Sequence, residues 1–271
     1  MLVAVVSAND SDSSRTHVTP CRAPVSSGVP VSEAGTKGPG TYVVSGGASG
    51  IGAAFAARVA AAGRNVVVFD RDAERLASVV SRTGAGTVRA VTGDATSVED
   101  VSRAVEVATE VFGSLDGILA AAGLASADYH ANGHNVFGGG GRPELWADMV
   151  LTNVLGPALL AQVALPALAS SRGRIVLLGS VGGFTASPGN LYSATKWAVT
   201  GLAENLRMYA TTVGVGVTLM APGRTATPFF PELAGPAMGV ESVVDAILFA
   251  FDQPAGVDVN TVVVRSIGEL R

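Results

Sequence analysis

In the stretch "GSVGGFTASPGNLYSATKWAV", Tyr192 and Lys196 stand four residues apart near the expected start of a helix. At that spacing two side chains share one helix face, with Cβ atoms roughly 5–6 Å apart. A free tyrosine, with a pKa of about 10, is a poor base at neutral pH. A unit cation about 4 Å away, at an effective dielectric near 20, contributes roughly 4 kcal/mol toward the phenolate, or about three pKa units. Such a pair can exchange a proton with a substrate oxygen near pH 7. Ser180, at the end of the preceding β-branched run, offers a hydroxyl that can donate to a carbonyl or to the oxyanion that develops from it. Taken alone, a Tyr-x3-Lys pair on a helix is usually a surface pair. The strand-end serine beside it, and the glycine turn far upstream, turn it into a candidate reacting centre.

That turn is "SGGASGIGAAFAARVAAAG", in which Gly46, Gly50 and Gly52 lead from a strand into a helix. Backbone amides there, with Ser49 and Ile51 among them, can face a pyrophosphate, and the helix dipole favours its charge. The spacing is Gly-x3-Gly-x-Gly rather than G-x-G-x-x-G, and no Lys-Ser/Thr follows to make a P-loop. Asp70 ends the next strand twenty residues after Gly50, where a carboxylate can accept from adenosine ribose hydroxyls and repel a 2′-phosphate. NAD is therefore the expected cofactor. Arg71, next door, can instead meet a phosphate, which keeps NADP open, and "DRDAERL" also allows Asp70 to be a helix cap before Ala73.

The elements that must hold these residues show from Thr41 onward, where short β-branched runs alternate with Ala-rich helical stretches, the pattern of βαβ units and a parallel sheet. Strands are expected at Tyr42 to Ser45, Asn65 to Asp70, Val88 to Thr92, Gly117 to Ala121, Arg174 to Leu178, Gly216 to Met220 and Thr261 to Val264. Helices are expected at about 50 to 62, 72 to 82, 97 to 112, 143 to 170, 190 to 212 and 241 to 252. Seven strands with helices on both faces make an α/β doubly wound sheet. Its ligands bind beyond the carboxyl ends of the strands, where the strand order reverses.

With 271 residues, 48% hydrophobic and 15% charged, the chain can bury one large core, and its 34 glycines fit tight turns and close backbone approach to a ligand. The formal net charge of −4 argues against nucleic acid or an anionic membrane as the main partner. A small-molecule alcohol or carbonyl is the expected substrate. Cys21 is the single cysteine, which excludes an intrachain disulfide or a Cys-based zinc site and points to a reducing, cytoplasmic setting. The apolar runs fall short of the ~20 residues that span a bilayer, so no membrane segment is expected. Residues 1–40 are rich in Ser, Thr, Pro and Gly and read as a disordered extension to a single domain at 41–271. His130 and His134 lie four apart in a glycine-rich loop with no third ligand evident, so no metal is expected.

Together these residues resemble the short-chain dehydrogenase/reductase family in its single-domain form, from Thr41 to the C-terminus. The resemblance implies a Rossmann-like fold, NAD(P)-dependent oxidation of CH–OH groups, and a homodimer or homotetramer. It implies a tetrad of Asn153, Ser180, Tyr192 and Lys196, with Asn153 holding a water in a proton relay. "GDAT", with Asp94 and Ala95, is similar to the family's adenine-binding strand end. "PGRTATP", with Pro222, Gly223, Thr225 and Thr227, is similar to its nicotinamide-contacting segment. Ala121 and Gly123 belong to the stretch beside the cofactor, where the family usually reads Asn-Asn-Ala-Gly and this chain has Ala120, Ala121, Ala122 and Gly123. The gap from Ser180 to Tyr192 is one residue shorter than the family's, and the segment between Gly123 and Asn153 is longer. Phe184, Leu191, Phe229, Phe230, Leu233 and Met238 are expected to give the substrate pocket an apolar lining. Two other readings use the same fold: a non-catalytic dinucleotide sensor, and an epimerase or dehydratase whose relatives usually carry a long C-terminal substrate domain.

Overall fold

Val-rich runs separated by amphipathic helices pair into one seven-stranded parallel sheet in a computed structural model, which describes residues 40–83, 87–125, 142–229 and 235–269. The extension before Gly40, the loop that carries His130 and His134, and both Phe230 and Leu233 lie outside the described residues. The elements run β1 (Thr41–Ser45), α1 (Gly50–Ala61), β2 (Asn65–Asp70), α2 (Ala73–Thr83), β3 (Val88–Thr92), α3 (Val98–Phe112) and β4 (Gly117–Ala120). They continue with α4 (Trp146–Val150), α5 (Gly156–Ser171), β5 (Arg174–Leu178), α6 (Leu191–Ala210), β6 (Gly216–Pro222), α7 (Val240–Phe251) and β7 (Thr261–Val264).

The strand order is β3-β2-β1-β4-β5-β6-β7, so the chain reverses direction across the sheet between β1 and β4. Register follows from burial on both faces: Val43 lies opposite Val67 and Ile118, and Val44 opposite Val68 and Leu119. Val43, Val67, Ile118 and Ile175 face a core shared with α3, α5 and α6, while Val44, Val68, Leu119 and Val176 face one shared with α1, α2 and α7. A one-residue slip would exchange the two sets, which is why such continuous apolar strands hold one register. β6 runs two residues past the expected end because Met220–Pro222 continue the ladder against Val262–Val264.

The helix expected as a single run from 143 to 170 is interrupted. A 3₁₀ turn (Pro143–Leu145) precedes α4, and a π-helical turn (Leu151–Leu155) separates α4 from α5. Pro157 has no N–H to return to Asn153 four residues earlier, so the α-helical ladder cannot run through. Gly156 N–H instead donates to Leu151, five residues back. Residues 143–171 are long and apolar enough, by length and composition, to cross a membrane. Here α5 packs on α3 and β4, with Leu160, Ala161, Ala164 and Leu168 in the core.

Two caps bear on the site. Asp72, not Asp70, caps α2, its Oδ1 accepting Arg75 N–H at 3.0 Å. Asn190 caps α6 by accepting Ser193 N–H at 2.9 Å, which fixes the turn that carries Tyr192.

Candidate active site

A cavity of about 970 Å³ opens at the carboxyl ends of β1, β2, β4, β5 and β6, where the strand order reverses. Every residue assigned above to dinucleotide binding borders it, as do Ser180, Tyr192 and Lys196. Asn153 does not.

The β1–α1 turn supplies one wall. Gly46 has φ +70°, and a Cβ there would stand 2.6 Å from Ala122 N, so glycine alone permits both the left-handed backbone and the close pass. A Cβ at Gly52 would collide with the Gly46 carbonyl, whereas one at Gly50 would project into the cleft toward Thr227, 3.5 Å away. At the start of α1, Ser49 makes no side-chain cap and the first turn holds no acidic residue. The N-terminal amides therefore face the cavity without a carboxylate to compete for them, and the geometry fits a pyrophosphate.

Asp70 closes that end. Its Oδ2 accepts Ala48 N–H at 3.2 Å and its Oδ1 accepts Asp72 N–H at 3.2 Å, which fixes the carboxylate and leaves each oxygen a further lone pair for a ribose hydroxyl. Arg71 and Arg75 border the same end, and Arg75 pairs with Asp72 at 3.2 Å. Asp94 Oδ1 is held by the Thr96 amide and hydroxyl, both at 2.8 Å. The stretch in which alanines stand for the family's two asparagines is held from β1: Ala121 N–H donates to the Ser45 carbonyl at 3.1 Å and the next residue's, Ala122 N–H, to the Ser45 hydroxyl at 3.4 Å.

The end that carries Ser180, Tyr192 and Lys196 is built between β5 and α6. Ser180 has extended backbone, and its Oγ accepts Gly182 N–H at 3.1 Å. Ser193 Oγ donates to the Gly182 carbonyl and Thr200 Oγ1 to Gly183, so α6 itself tacks down the shortened loop after Ser180. Lys196 is 5% exposed, donates to the Leu178 carbonyl at 2.8 Å, and lies 5.6 Å from the centre of the Tyr192 ring. Burial pushes its pKa down from 10.5 to about 8. Below that pH the lysine is a desolvated cation under the tyrosine.

Asn153 acts from behind the wall. Its Oδ1 accepts Leu124 N–H at 2.7 Å, and its Nδ2 donates to the Leu124 carbonyl at 2.9 Å and to Thr195 Oγ1 at 3.0 Å. Thr195 in turn donates to the Tyr192 carbonyl at 2.7 Å. The amide expected to hold a relay water also braces the β4 loop against the helix of Tyr192.

The expected apolar lining is largely displaced. Phe184 is 39% exposed and, like Leu191, does not border the cavity. Met238 pairs through its backbone with Arg224 and Ala226 and is buried in the core with Val244 and Ile247. Phe229 does border the cavity, its ring 5.6 Å from that of Tyr192. Ser187 and Asn190, polar residues not singled out from the sequence, complete this wall together with Val181 and Pro188. Glu269 was also missed. It reaches the cavity by a tertiary return of the tail that no local spacing announces. Among the described residues, no group of three His, Cys, Asp or Glu could hold a metal ion.

Residues 41–235 match the model of the short chain dehydrogenase family. An uncharacterized oxidoreductase of Staphylococcus aureus (strain USA300) is 31% identical over 234 residues, covering 83% of this chain and 96% of the relative. Among solved structures, the 3-ketoacyl-(acyl-carrier-protein) reductase of Brucella melitensis, complexed with NADH, superposes with a TM-score of 0.73 at 23% identity, over 83% of this chain and 96% of that one. An alcohol dehydrogenase from the archaeon Thermococcus sibiricus, complexed with 5-hydroxy-NADP, does so with a TM-score of 0.74 at 22% identity, over 85% and 97%. The two structures share the fold, the sequence matches carry the kinship, and the chain belongs to the short-chain dehydrogenase family of oxidoreductases.

Proposed function

We propose that this chain is a nicotinamide-dependent oxidoreductase that interconverts a secondary alcohol and a ketone, with Tyr192 as general acid and base. The observation that carries this reading is the buried Lys196 ammonium 5.6 Å from the Tyr192 ring, in the cavity that the glycine turn and Ser180 also border. With the phenolate charge taken at the ring centre and an effective dielectric near 20, the two attract by about 3 kcal/mol.

In the oxidation direction, the substrate hydroxyl sits between Ser180 and Tyr192. Tyr192 takes the hydroxyl proton, Ser180 donates to the substrate oxygen, and Lys196 offsets the charge on the phenolate. The turn at Gly46–Gly52 and the segment Pro222–Thr227 hold the dinucleotide at its two ends, and Asn153 keeps α6 in register with the loop at Leu124. A bound nicotinamide supplies the hydride acceptor; the protein supplies orientation and electrostatics. The fixed carboxylate of Asp70 supports NAD over NADP, with Arg71 beside it as the residue that an NADP preference would use. Phe229 and Val181 beside Ser187 and Asn190 fit a substrate of mixed polarity rather than a wholly apolar one. Exposed Leu151, Leu155 and Trp197, on elements that pack on each other, support a homodimer or homotetramer.

The test is reduced-dinucleotide absorbance with a panel of secondary alcohols and both cofactors, for wild type and Tyr192→Phe. Wild type turns over, and the variant loses 10²-fold or more in kcat with dinucleotide affinity nearly unchanged. Retention of more than about a tenth of kcat would refute the role of Tyr192. A protein that binds dinucleotide and reduces it with no alcohol would be a sensor.

A further inference from the structure

The tail after β7 comes back to the cavity and brings a carboxylate with it. A turn closed by Glu269 N–H donating to the Ser266 carbonyl at 3.1 Å sets Glu269 against the segment that follows β6. Its two carboxylate oxygens lie 3.0 and 3.2 Å from Arg224 N, whose N–H they share, and the Ser266 hydroxyl donates to Oε2 at 3.3 Å. A Cβ at Gly223 would collide with the carboxylate, so glycine at 223 is what lets the charge come this close to the backbone. Gly223 and Glu269 both border the cavity, on the wall that continues through Thr225 and Thr227 to Phe229 beside Tyr192. A negative charge, anchored by one backbone amide and one hydroxyl, is thus built into the end of the cavity where proton transfer is placed.

The geometry points to Glu269 as the residue that makes this site bind the oxidised dinucleotide in preference to the reduced one. This rests on the reading above, in which the nicotinamide half lies against Pro222–Thr227. The oxidised ring is a cation and the reduced ring is neutral, so a fixed carboxylate attracts one form and leaves the other nearly unaffected. The carboxylate is half-buried, so its attraction is screened less than that of a fully exposed charge. In a mixed pool the protein loads with the oxidised form, and the reduced form leaves readily after turnover.

Calorimetric Kd values for NAD+, NADH and ADP-ribose, on wild type, Glu269→Gln and Glu269→Asp, test this. The glutamine keeps an oxygen that can accept Arg224 N–H while losing the charge, and it leaves Arg224 in place. Glu269→Gln is expected to weaken NAD+ about tenfold relative to NADH, with ADP-ribose, which lacks the nicotinamide, unchanged. Glu269→Asp, which retains the charge, stays closer to wild type. The inference is overturned if Glu269→Gln weakens NAD+ and NADH together, if neither changes, or if the aspartate variant shifts their ratio as far as the glutamine one. Should Glu269→Gln fail to fold, an aspartate variant or wild type that binds NAD+ no tighter than NADH overturns it as well. Wild type that binds neither dinucleotide overturns the functional reading and this inference together, a result distinct from dinucleotides that bind with an unshifted ratio.

Discussion

Lys196 is a buried cation, and its burial can be measured without knowing the substrate. In the unfolded chain its ammonium titrates near the ordinary 10.5, and in the folded protein near 8. The folded state therefore binds fewer protons than the unfolded state between those values, so this residue's unfavourable contribution is full below pH 8, diminishes as pH rises, and is gone above about 10.5. A shift of about 2.5 units at 1.36 kcal/mol per unit is worth about 3 kcal/mol. Lys196→Met removes the titration. It also leaves the Leu178 carbonyl without the donor it has at 2.8 Å, a penalty that does not vary with pH. Urea unfolding of the dinucleotide-free protein, wild type against variant, from pH 7 to 10.5 is the assay. The stability of the variant relative to wild type should fall by about 3 kcal/mol across that range, because wild type gains what the variant has no way to gain. Titrations that Lys196 does not influence cancel in the difference. A difference that stays flat within about 0.5 kcal/mol, or that rises with pH, would refute the burial argument and with it the claim that a desolvated cation underlies Tyr192.

Asp70→Ser should raise KM for NAD and narrow the gap to NADP, by removing an acceptor and a repulsive charge together; kinetics with both cofactors check it, and a wild type that prefers NADP would move the assignment to Arg71. Asn153→Ala should cost about 3 kcal/mol of stability, since it strands the Leu124 amide and carbonyl that Asn153 now satisfies, and a shift in denaturant midpoint equivalent to less than about 1 kcal/mol would deny it a bracing role. Gly52→Ala should displace the turn and weaken dinucleotide binding more than tenfold by calorimetry, because its Cβ meets the Gly46 carbonyl. Gly201→Ala is the paired control: within α6, where an added Cβ meets nothing within 4 Å, it should raise stability by up to about 1 kcal/mol.

Strands and helices were legible wherever local pattern and burial agree. Val66 to Val68 read as a strand because a central parallel strand is buried on both faces, and α1 ends within one residue of its expected limit. The break at the turn that carries Asn153 was not legible, although its cause, Pro157, is plain in the sequence. A proline is tolerated in the first turn of a helix, and nothing local says that α5 begins at Gly156 rather than thirteen residues earlier. The sequence offered Asp70 as a helix cap, but Asp72 takes that place, because the residue directly before Ala73 is the one whose carboxylate reaches the Arg75 amide. Met238 was misplaced because hydrophobicity tells that a side chain seeks burial without telling against what, and Phe184 because a single apolar side chain can also stay at the surface. Glu269 depended on the fold of the whole tail, and an exposed-looking carboxylate in a polar sequence carries no mark of the amide it will meet.

The reversal of strand order between β1 and β4 divides the cavity between two stretches of chain. On the proposed reading, residues 46–95 build the adenosine end and residues from 121 onward the reacting end. Substitutions far apart with no shared partner usually combine additively. A change of cofactor preference at Asp70 and a change of substrate range at Phe229 can therefore be acquired separately and in either order, each leaving the other's effect intact. Such a layout lets a lineage explore new alcohols without relearning how to hold its dinucleotide.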